Sequence, residues 1–204
     1  MMGRLGRAAK RVVDLVAALL GILLLSPFFL LVAVAIRSTS RGPVFYRQTR
    51  IGASGQPFQL LKFRSMVVGA DRSSRLTPDR DQRITAVGRL LRATHFDEIP
   101  QLGNVLVGHM SLVGPRPEVP EFVDLEDPLW RKVLSVRPGM TSPETLVFRR
   151  QGADLAKHAD PVAYYRKVIR PRKLLLQARY VDESTFWGDI GVVFRTFAAI
   201  VRHR

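Results

Sequence analysis

Residues Leu15 to Ile36 form an uncharged, mostly aliphatic run, with Arg4, Arg7, Lys10 and Arg11 before it and Arg37 and Arg41 after it. About 20 such residues cover the hydrocarbon of a bilayer, so the run demands a membrane. A secretory signal does not fit, because the apolar part is too long and no small-residue cleavage site follows it. Ser26-Pro27 lies in the middle of the run, where proline removes a backbone donor and crowds the preceding turn. Each arm then holds about a dozen residues, roughly 18 Å of helix, which reaches about halfway through the hydrocarbon. Basic residues on both flanks keep both ends on the cytoplasmic side. A helix that enters, breaks at Ser26-Pro27 and returns meets all of these conditions. A proline-kinked spanning helix remains open on these features alone.

Beyond this element the chain is long enough for one ordinary domain. The expected organisation is a membrane element over residues 1–40 and a cytosolic domain over 41–204. The formal charge of +15, from 32 Lys and Arg against 17 Asp and Glu, calls for an anionic partner. Nucleic acid, a phospholipid surface and a phosphorylated substrate all satisfy that demand. Cysteine is absent, which excludes disulfide frameworks and thiolate metal sites. HExxH, GxSxG and glycine-rich nucleotide loops are absent too, and no pair of histidines has metal-ligand helical spacing.

"RGPVFYRQTRIG" and "GQPFQLLKFRSM" read as two short strands around a glycine-rich turn, with alternation placing Lys62 and Arg64 on one face. "TAVGRLLRAT" has helical spacing, with Val87, Leu90 and Leu91 on one side, and "QLGNVLVGHM" reads as a second helix ending near Gly108. Pro100 suits the first turn of that helix and biases Ile99 away from helical dihedrals. "GPRP" and "RPG" are stiff loops that present Arg116 and Arg137. The tail puts Ile190, Val193, Phe194, Phe197 and Val201 on one face, suited equally to a core or to a membrane interface. These elements predict an α+β, mostly helical fold: a re-entrant membrane helix, then a compact domain with a small strand region and amphipathic interfacial helices.

Between the two predicted helices, "HFDEIP" sets Asp97 beside Glu98 in this basic chain. Thr94-x-x-Asp97 resembles a capping box, which accounts for one acid at about 0.5–1 kcal/mol. It leaves unexplained the company of Lys62, Arg64, Arg89, Arg92, Arg116 and Arg137. A transfer between two phosphorylated substrates needs such a set: cations to let anions approach, a carboxylate to hold a divalent ion, and a second carboxylate as nucleophile. Asp79-Arg80-Asp81 is a weaker DxD-like metal motif in a polar loop. The competing reading is a membrane-anchored basic module that binds anionic lipid or nucleic acid. It leaves the two proline-rigid arginine loops without a role, and aromatic platforms and recognition motifs for nucleic acid are missing.

The run "ITAVGRLLRATHFDEIPQLGNVLVGHMSLVGPRP", with "VFYRQTRIG" and "KFRSM" upstream and "VRPGMT" downstream, resembles the bacterial sugar transferase family, the monotopic phosphoglycosyl transferases. The resemblance covers nearly the whole chain. It implies transfer of a sugar phosphate from a nucleoside diphosphate sugar, usually a UDP-sugar, to polyprenyl phosphate, with release of the nucleoside monophosphate. By the family pattern Asp97 is the nucleophile of a covalent phosphosugar intermediate and Glu98 holds Mg2+. Arg116 would bind phosphate, with Lys62, Arg64 and Arg137 as further phosphate-binding candidates. The family's membrane element is re-entrant and broken at a Ser-Pro that matches Ser26-Pro27. The implied setting is the bacterial inner membrane with the active site on the cytosolic face and phospholipid around it. Nucleic acid is not an expected partner, and a homo-oligomer is allowed but not specified. Nearby cations are expected to keep Asp97 ionised.

This chain also departs from the family pattern. Gly103 stands where Trp or Phe is common, and His109 where Asp is common. "SPETLVFRR" follows "RPGMT" where many relatives read "GWAQVNGR". In "ADPVAYYRKVIRPRKLLLQARYV", which resembles a second subgroup, Gln177 stands where an acidic residue is typical. The sugar therefore does not carry over.

Overall fold

The structure is a computed structural model that describes residues 3–70, 81–148 and 151–201. Asp79 lies outside the described residues. The chain opens with α1, Arg4–Thr39, followed by an antiparallel hairpin of β1, Phe45–Ile51, and β2, Pro57–Phe63. Helix α2, Ala86–Ala93, leads through a 3-10 turn, Phe96–Glu98, into α3, Gln101–Leu106. Then come β3, Ser111–Val113, α4, Pro128–Val133, and β4, Gly139–Thr141, with β3 and β4 parallel neighbours. Short helices α5, Pro143–Val147, α6, Gln151–Leu155, and α7, Pro161–Tyr164, precede a π-turn, Tyr165–Ile169. The longer helices α8, Arg170–Glu183, and α9, Phe186–Val201, complete the chain. The fold is mostly helical with two small sheets and one long apolar helix at its start.

Helix α1 carries one face into the domain, through Asp14, Ala18, Val32 and Ile36. Its first half packs on α3 and β2, where Ala18 joins Phe58, Leu60, Leu102, Val105 and Met110. In the second half Val32 and Ile36 meet Phe63 and Leu91, flanked by Phe28 and Phe29. The opposite face, including Leu19, Leu23, Leu24, Leu30, Leu31 and Val34, is exposed.

The expected break at Ser26-Pro27 is not an interruption of the helix: α1 runs continuously through Pro27. Proline leaves the carbonyl four residues back without its donor, and that carbonyl belongs to Leu23. The Ser26 hydroxyl donates to Leu23 O at 2.8 Å, so the neighbouring residue supplies the missing hydrogen bond.

Other expectations also shift. Leu90 is exposed, while Val87 and Leu91 pack inward. Ile99 is helical, at φ −55° and ψ −35°. Thr94 closes α2 by donating to Leu90 O at 2.9 Å and does not cap the following turn, so no Thr94–Asp97 capping box forms. On α9 the faces divide: Asp189 and Val192 are buried, and Trp187, Phe194 and Phe197 are exposed.

Candidate active site

Asp97 and Glu98 sit in the turn between α2 and α3, and both ends of that turn are anchored. Thr85 caps α2 by accepting from Gly88 N at 2.9 Å. A Cβ on Gly88 would lie 2.5 Å from the Ser65 carbonyl carbon, so only glycine lets α2 approach the strand end this closely. The turn is entered through His95, which holds a left-handed φ of 57°. At its far end the terminal carbonyls of α3 are taken by arginines. Arg11 donates to Val105 O at 2.8 Å and Arg137 to Gly108 O at 2.9 Å. Asn104 ties α3 to β2, accepting from Leu61 N at 2.9 Å and donating to Gln59 O at 2.7 Å. That places the neighbouring Lys62 over the acid turn.

Phe96 packs edge-on against Phe28 of α1, with ring centroids 5.2 Å apart. The acid pair therefore sits beside the Ser26-Pro27 level of α1, although the two segments are some 70 residues apart in sequence.

The two acids differ in surroundings. Glu98 accepts from Lys62 Nζ at 2.7 Å and from both ends of the Arg116 guanidinium, Nη1 to Oε2 at 3.0 Å and Nη2 to Oε1. Burial opposes its ionisation, but Arg116 and Lys62 outweigh it and hold Glu98 well below the usual carboxylate range. Arg116 is in turn pushed up by Glu98. Asp97 is buried, and among the described residues no donor reaches its carboxylate. Burial pushes its pKa up, against the pull of Lys62 and Arg92. The expectation that cations dominate at Asp97 is thus reversed: desolvation wins there, and the cations are engaged by Glu98.

Arg116 is presented by a loop whose backbone is held on every side. Gly114 N donates to Thr141 O at 3.0 Å, and Gly139 N donates to Pro115 O at 2.9 Å. Arg116 N donates to Glu144 Oε1 at 3.0 Å, and Arg116 O accepts from Gln177 at 3.1 Å. Pro117 O accepts from Arg50 at 2.9 Å, and Glu118 O from Ile51 N at 2.9 Å. A Cβ on Gly139 would lie 2.6 Å from Gly114 Cα, so the two loops touch backbone to backbone.

Of the candidates read from the sequence, the structure brings together Asp97, Glu98, Lys62 and Arg116. Arg64 is placed elsewhere: β2 ends at Phe63, the alternation ends with it, and Arg64 donates to Ser40 O at 2.7 Å at the end of α1. Its guanidinium is lowered by burial and by Arg37. Arg137 points to the opposite end of α3. Asp81 is bound to Arg83, 2.9 Å from Oδ1 to Nε, which makes it a loop ion pair.

Sequence reading misses Arg50, Asn104, Glu144 and Gln177. Arg50 lies within "VFYRQTRIG" but reads there as a solvated strand charge, and Gln177 stands out only as a departure from the family pattern. Gly103 is open, since a Cβ there would lie 3.7 Å from Leu61 Cδ1, and His109 packs on Phe58 at 5.6 Å. The "SPET" and Gln177 departures meet in space, since Gln177 donates to Glu144 at 2.9 Å.

Magnesium fits this donor set modestly. Among the described residues no cluster of three or more His, Asp or Glu side chains exists. Among the described residues Glu98 Oε2 accepts only from Arg116 Nη1, which leaves a lone pair that would suit Mg2+, an ion commonly held by one or two carboxylates with substrate phosphate and water.

The chain matches the model of a family described as bacterial sugar transferase over residues 5–203. It is 37% identical to the UDP-glucose:undecaprenyl-phosphate glucose-1-phosphate transferase of Caulobacter vibrioides, over 94% of this chain and 69% of that protein. It is 34% identical to the exopolysaccharide production protein ExoY of Rhizobium meliloti, over 98% of this chain and 88% of that protein. It is 36% identical to the Escherichia coli UDP-glucose:undecaprenyl-phosphate glucose-1-phosphate transferase, over 93% of this chain but 39% of that longer protein. The match over residues 5–203, with relatives of 34–37% identity covering nearly the whole chain, makes this protein a member of the bacterial sugar transferase family.

Proposed function

We propose that this enzyme transfers a sugar phosphate from a UDP-sugar to polyprenyl phosphate, releasing UMP and leaving a polyprenyl-diphosphate sugar, the opening membrane step of glycoconjugate assembly. The observation that carries it is the division of the acid pair: Asp97 buried without a donor, Glu98 held between Lys62 and Arg116.

An oxygen of Asp97 attacks the phosphorus that bears the sugar. The Asp97–phosphorus bond forms as the bridging bond breaks, and UMP leaves with the electron pair. The phosphate oxygen of the polyprenyl phosphate then attacks the same phosphorus, and Asp97 departs as a carboxylate. No general base is needed, since both attacking groups are already anions. Lys62 and Arg116 turn from Glu98 to the diphosphate and lower the repulsion between anions. Glu98 Oε2 would hold Mg2+. When bound, the ion would supply charge neutralisation on the donor diphosphate from which UMP departs.

The acceptor reaches Asp97 from the bilayer, because Phe96 packs on Phe28 at mid-helix. Helix α1 enters the membrane from one side and does not cross. In support, the same domain packs against both halves of α1, and Arg11 and Asp14 near one end are bound to it, Asp14 accepting from Ser111 at 2.7 Å. A crossing helix would pull those polar contacts into hydrocarbon, at a cost of several kcal/mol each. The outward stripe of Trp187, Phe194 and Phe197 on α9 suits the headgroup level. The setting is the bacterial cytoplasmic membrane with the site on its cytosolic face.

The test is release of UMP by protein in nanodiscs supplied with Mg2+, polyprenyl phosphate and a panel of UDP-sugars, alongside trapping of a labelled adduct. Asp97→Asn should abolish the adduct. Release of UDP, or an adduct undiminished in Asp97→Asn, would overturn the reading. Because the chain lacks cysteine, single cysteines at Gly3 and Arg41 report topology cleanly. Both should label only from the cytosolic side, and periplasmic labelling of either one sinks the re-entrant arrangement.

A further inference from the structure

Glu144 is 1% exposed, sits outside the acid turn, and takes no part in the steps above. Its Oε1 accepts from Arg116 N at 3.0 Å and from Gln177 Nε2 at 2.9 Å, while its Oε2 is buried with no partner. Gln177, 3% exposed, spends the same amide on Arg116 O at 3.1 Å. The two peptide units that flank the Arg116 Cα are therefore both gripped, the first on its N–H by α5 and the second on its C=O by α8, and the two gripping side chains are bonded to each other. A buried carboxylate with an orphan oxygen is unfavourable for folding alone. An apolar pair of similar volume would fill the space at lower cost, so the arrangement points to a task that packing does not set.

We propose that Glu144 and Gln177 are a positioning pair that fixes the Arg116 peptide and thereby aims its guanidinium at the donor diphosphate. Arg116 lies on a short loop between prolines, and with the peptides on either side of its Cα both held, its side-chain direction follows from its fixed backbone dihedrals. A rotation about those dihedrals moves the guanidinium tip by about an ångström or more, the scale on which phosphate-binding geometry fails. The pair acts only through Arg116, and so bears on the nucleotide sugar and not on the lipid acceptor. It also explains why an amide stands at 177. Arg116 O and Glu144 Oε1 both need a donor, and a carboxylate there would supply none. The charged and titratable groups facing Glu144 are Arg116 from its loop and Lys173 and Tyr180 from α8.

The inference rests on Arg116 as the phosphate ligand, so Arg116→Ala is measured first. If Arg116→Ala leaves donor kcat/KM unchanged, that assignment falls and the positioning role with it. With Arg116 confirmed, Glu144→Ala should lower kcat/KM for the UDP-sugar about 30-fold or more, at an unchanged kcat/KM for polyprenyl phosphate. Glu144→Gln keeps the acceptor oxygen and should stay within about threefold of the parent. Gln177→Glu sets two carboxylates face to face. Its activity should be low at pH 8 and recover toward pH 6, as a shared proton restores a donor between them. Three results would overturn the proposal: Glu144→Ala equal to the parent, equal losses toward donor and acceptor in both Glu144 variants, or a deficit in Gln177→Glu that is flat with pH.

Discussion

Replacing each member of the acid pair by its amide should move stability in opposite directions, although the residues are adjacent and the changes almost isosteric. Glu98→Gln removes the charge shared by Lys62 and the Arg116 guanidinium, whose side chains are only 18% and 26% exposed. Breaking a fully buried ion pair costs roughly 3–5 kcal/mol, because the partner charge is left uncompensated. With water reaching about a fifth of these side chains, a loss of about 2–3 kcal/mol is expected. Asp97→Asn does the reverse. It removes a buried charge that no donor reaches, and the gain is about 1 kcal/mol, the lower end of the roughly 1–3 for an unpartnered buried group, since Lys62 and Arg92 already return part of the penalty. A chain of this size shifts by about 2–4 °C per kcal/mol. Thermal unfolding in nanodiscs should therefore place Glu98→Gln about 4–12 °C below the parent and Asp97→Asn about 2–4 °C above it, while both lose UMP release.

The pH dependence separates the two acids further. Asp97 is raised in the folded state, so its penalty is present above the folded pKa and is relieved as pH falls through it. The advantage of Asp97→Asn should shrink on acidification. Glu98 is lowered, so its contribution is fully present above the usual 4.5 and is lost progressively as pH falls from there through the depressed folded value. The deficit of Glu98→Gln should hold from neutral pH down to that usual value and shrink only below it. Shifts of the same sign at neutral pH, or an Asp97→Asn advantage that grows toward acid, would refute the division of roles.

Gly139→Ala should cost about 2–3 kcal/mol and remove most activity, because its Cβ would meet Gly114 O at 2.5 Å and part the loops that present Arg116; thermal unfolding and UMP release measure the two effects. Ser26→Ala strips the Leu23 carbonyl of its substitute donor inside an apolar helix, and should lower stability in nanodiscs by about 1 kcal/mol with turnover per folded molecule retained. Asp81→Asn should leave turnover within about twofold of the parent, since Asp81 is engaged by Arg83; a loss as large as that of Asp97→Asn would restore the DxD-like loop as a metal site.

What the sequence made legible was local. The hairpin, the two helices around "HFDEIP" and the stiffness of "GPRP" follow from alternation, helical spacing and proline, each confined to a few neighbouring residues. Lys62 could be placed on a strand face by counting, but Arg64 could not, because the count holds only while the strand lasts and β2 stops at Phe63. The capping box failed for a related reason. Thr94 has equally good carbonyls behind it, and a pattern of residue types does not say which way a hydroxyl turns.

The electrostatics of the acid pair lay beyond such counting. Asp97 and Glu98 share a sequence neighbourhood and a net surplus of cations, yet their ionisation is driven apart by which side chain each faces across the fold. Glu98 faces two cations brought from β2 and from the "GPRP" loop, and Asp97 is largely buried with neither cation bonded to it. That contrast requires Asn104 to hold β2 against α3, and Glu144, Gln177 and Arg50 to hold the loop, all through contacts between residues 28 to 67 positions apart. The +15 charge thus acts through placement more than through amount. Lys62 and Arg116 are the two that grip Glu98, set in position by Asn104, Glu144, Gln177 and Arg50, and in the proposed reaction it is they that exchange Glu98 for an incoming diphosphate. The proposed reaction requires that exchange to be nearly balanced: a weaker grip on Glu98 would leave two cations uncompensated in the empty enzyme, and a stronger one would keep them from the substrate.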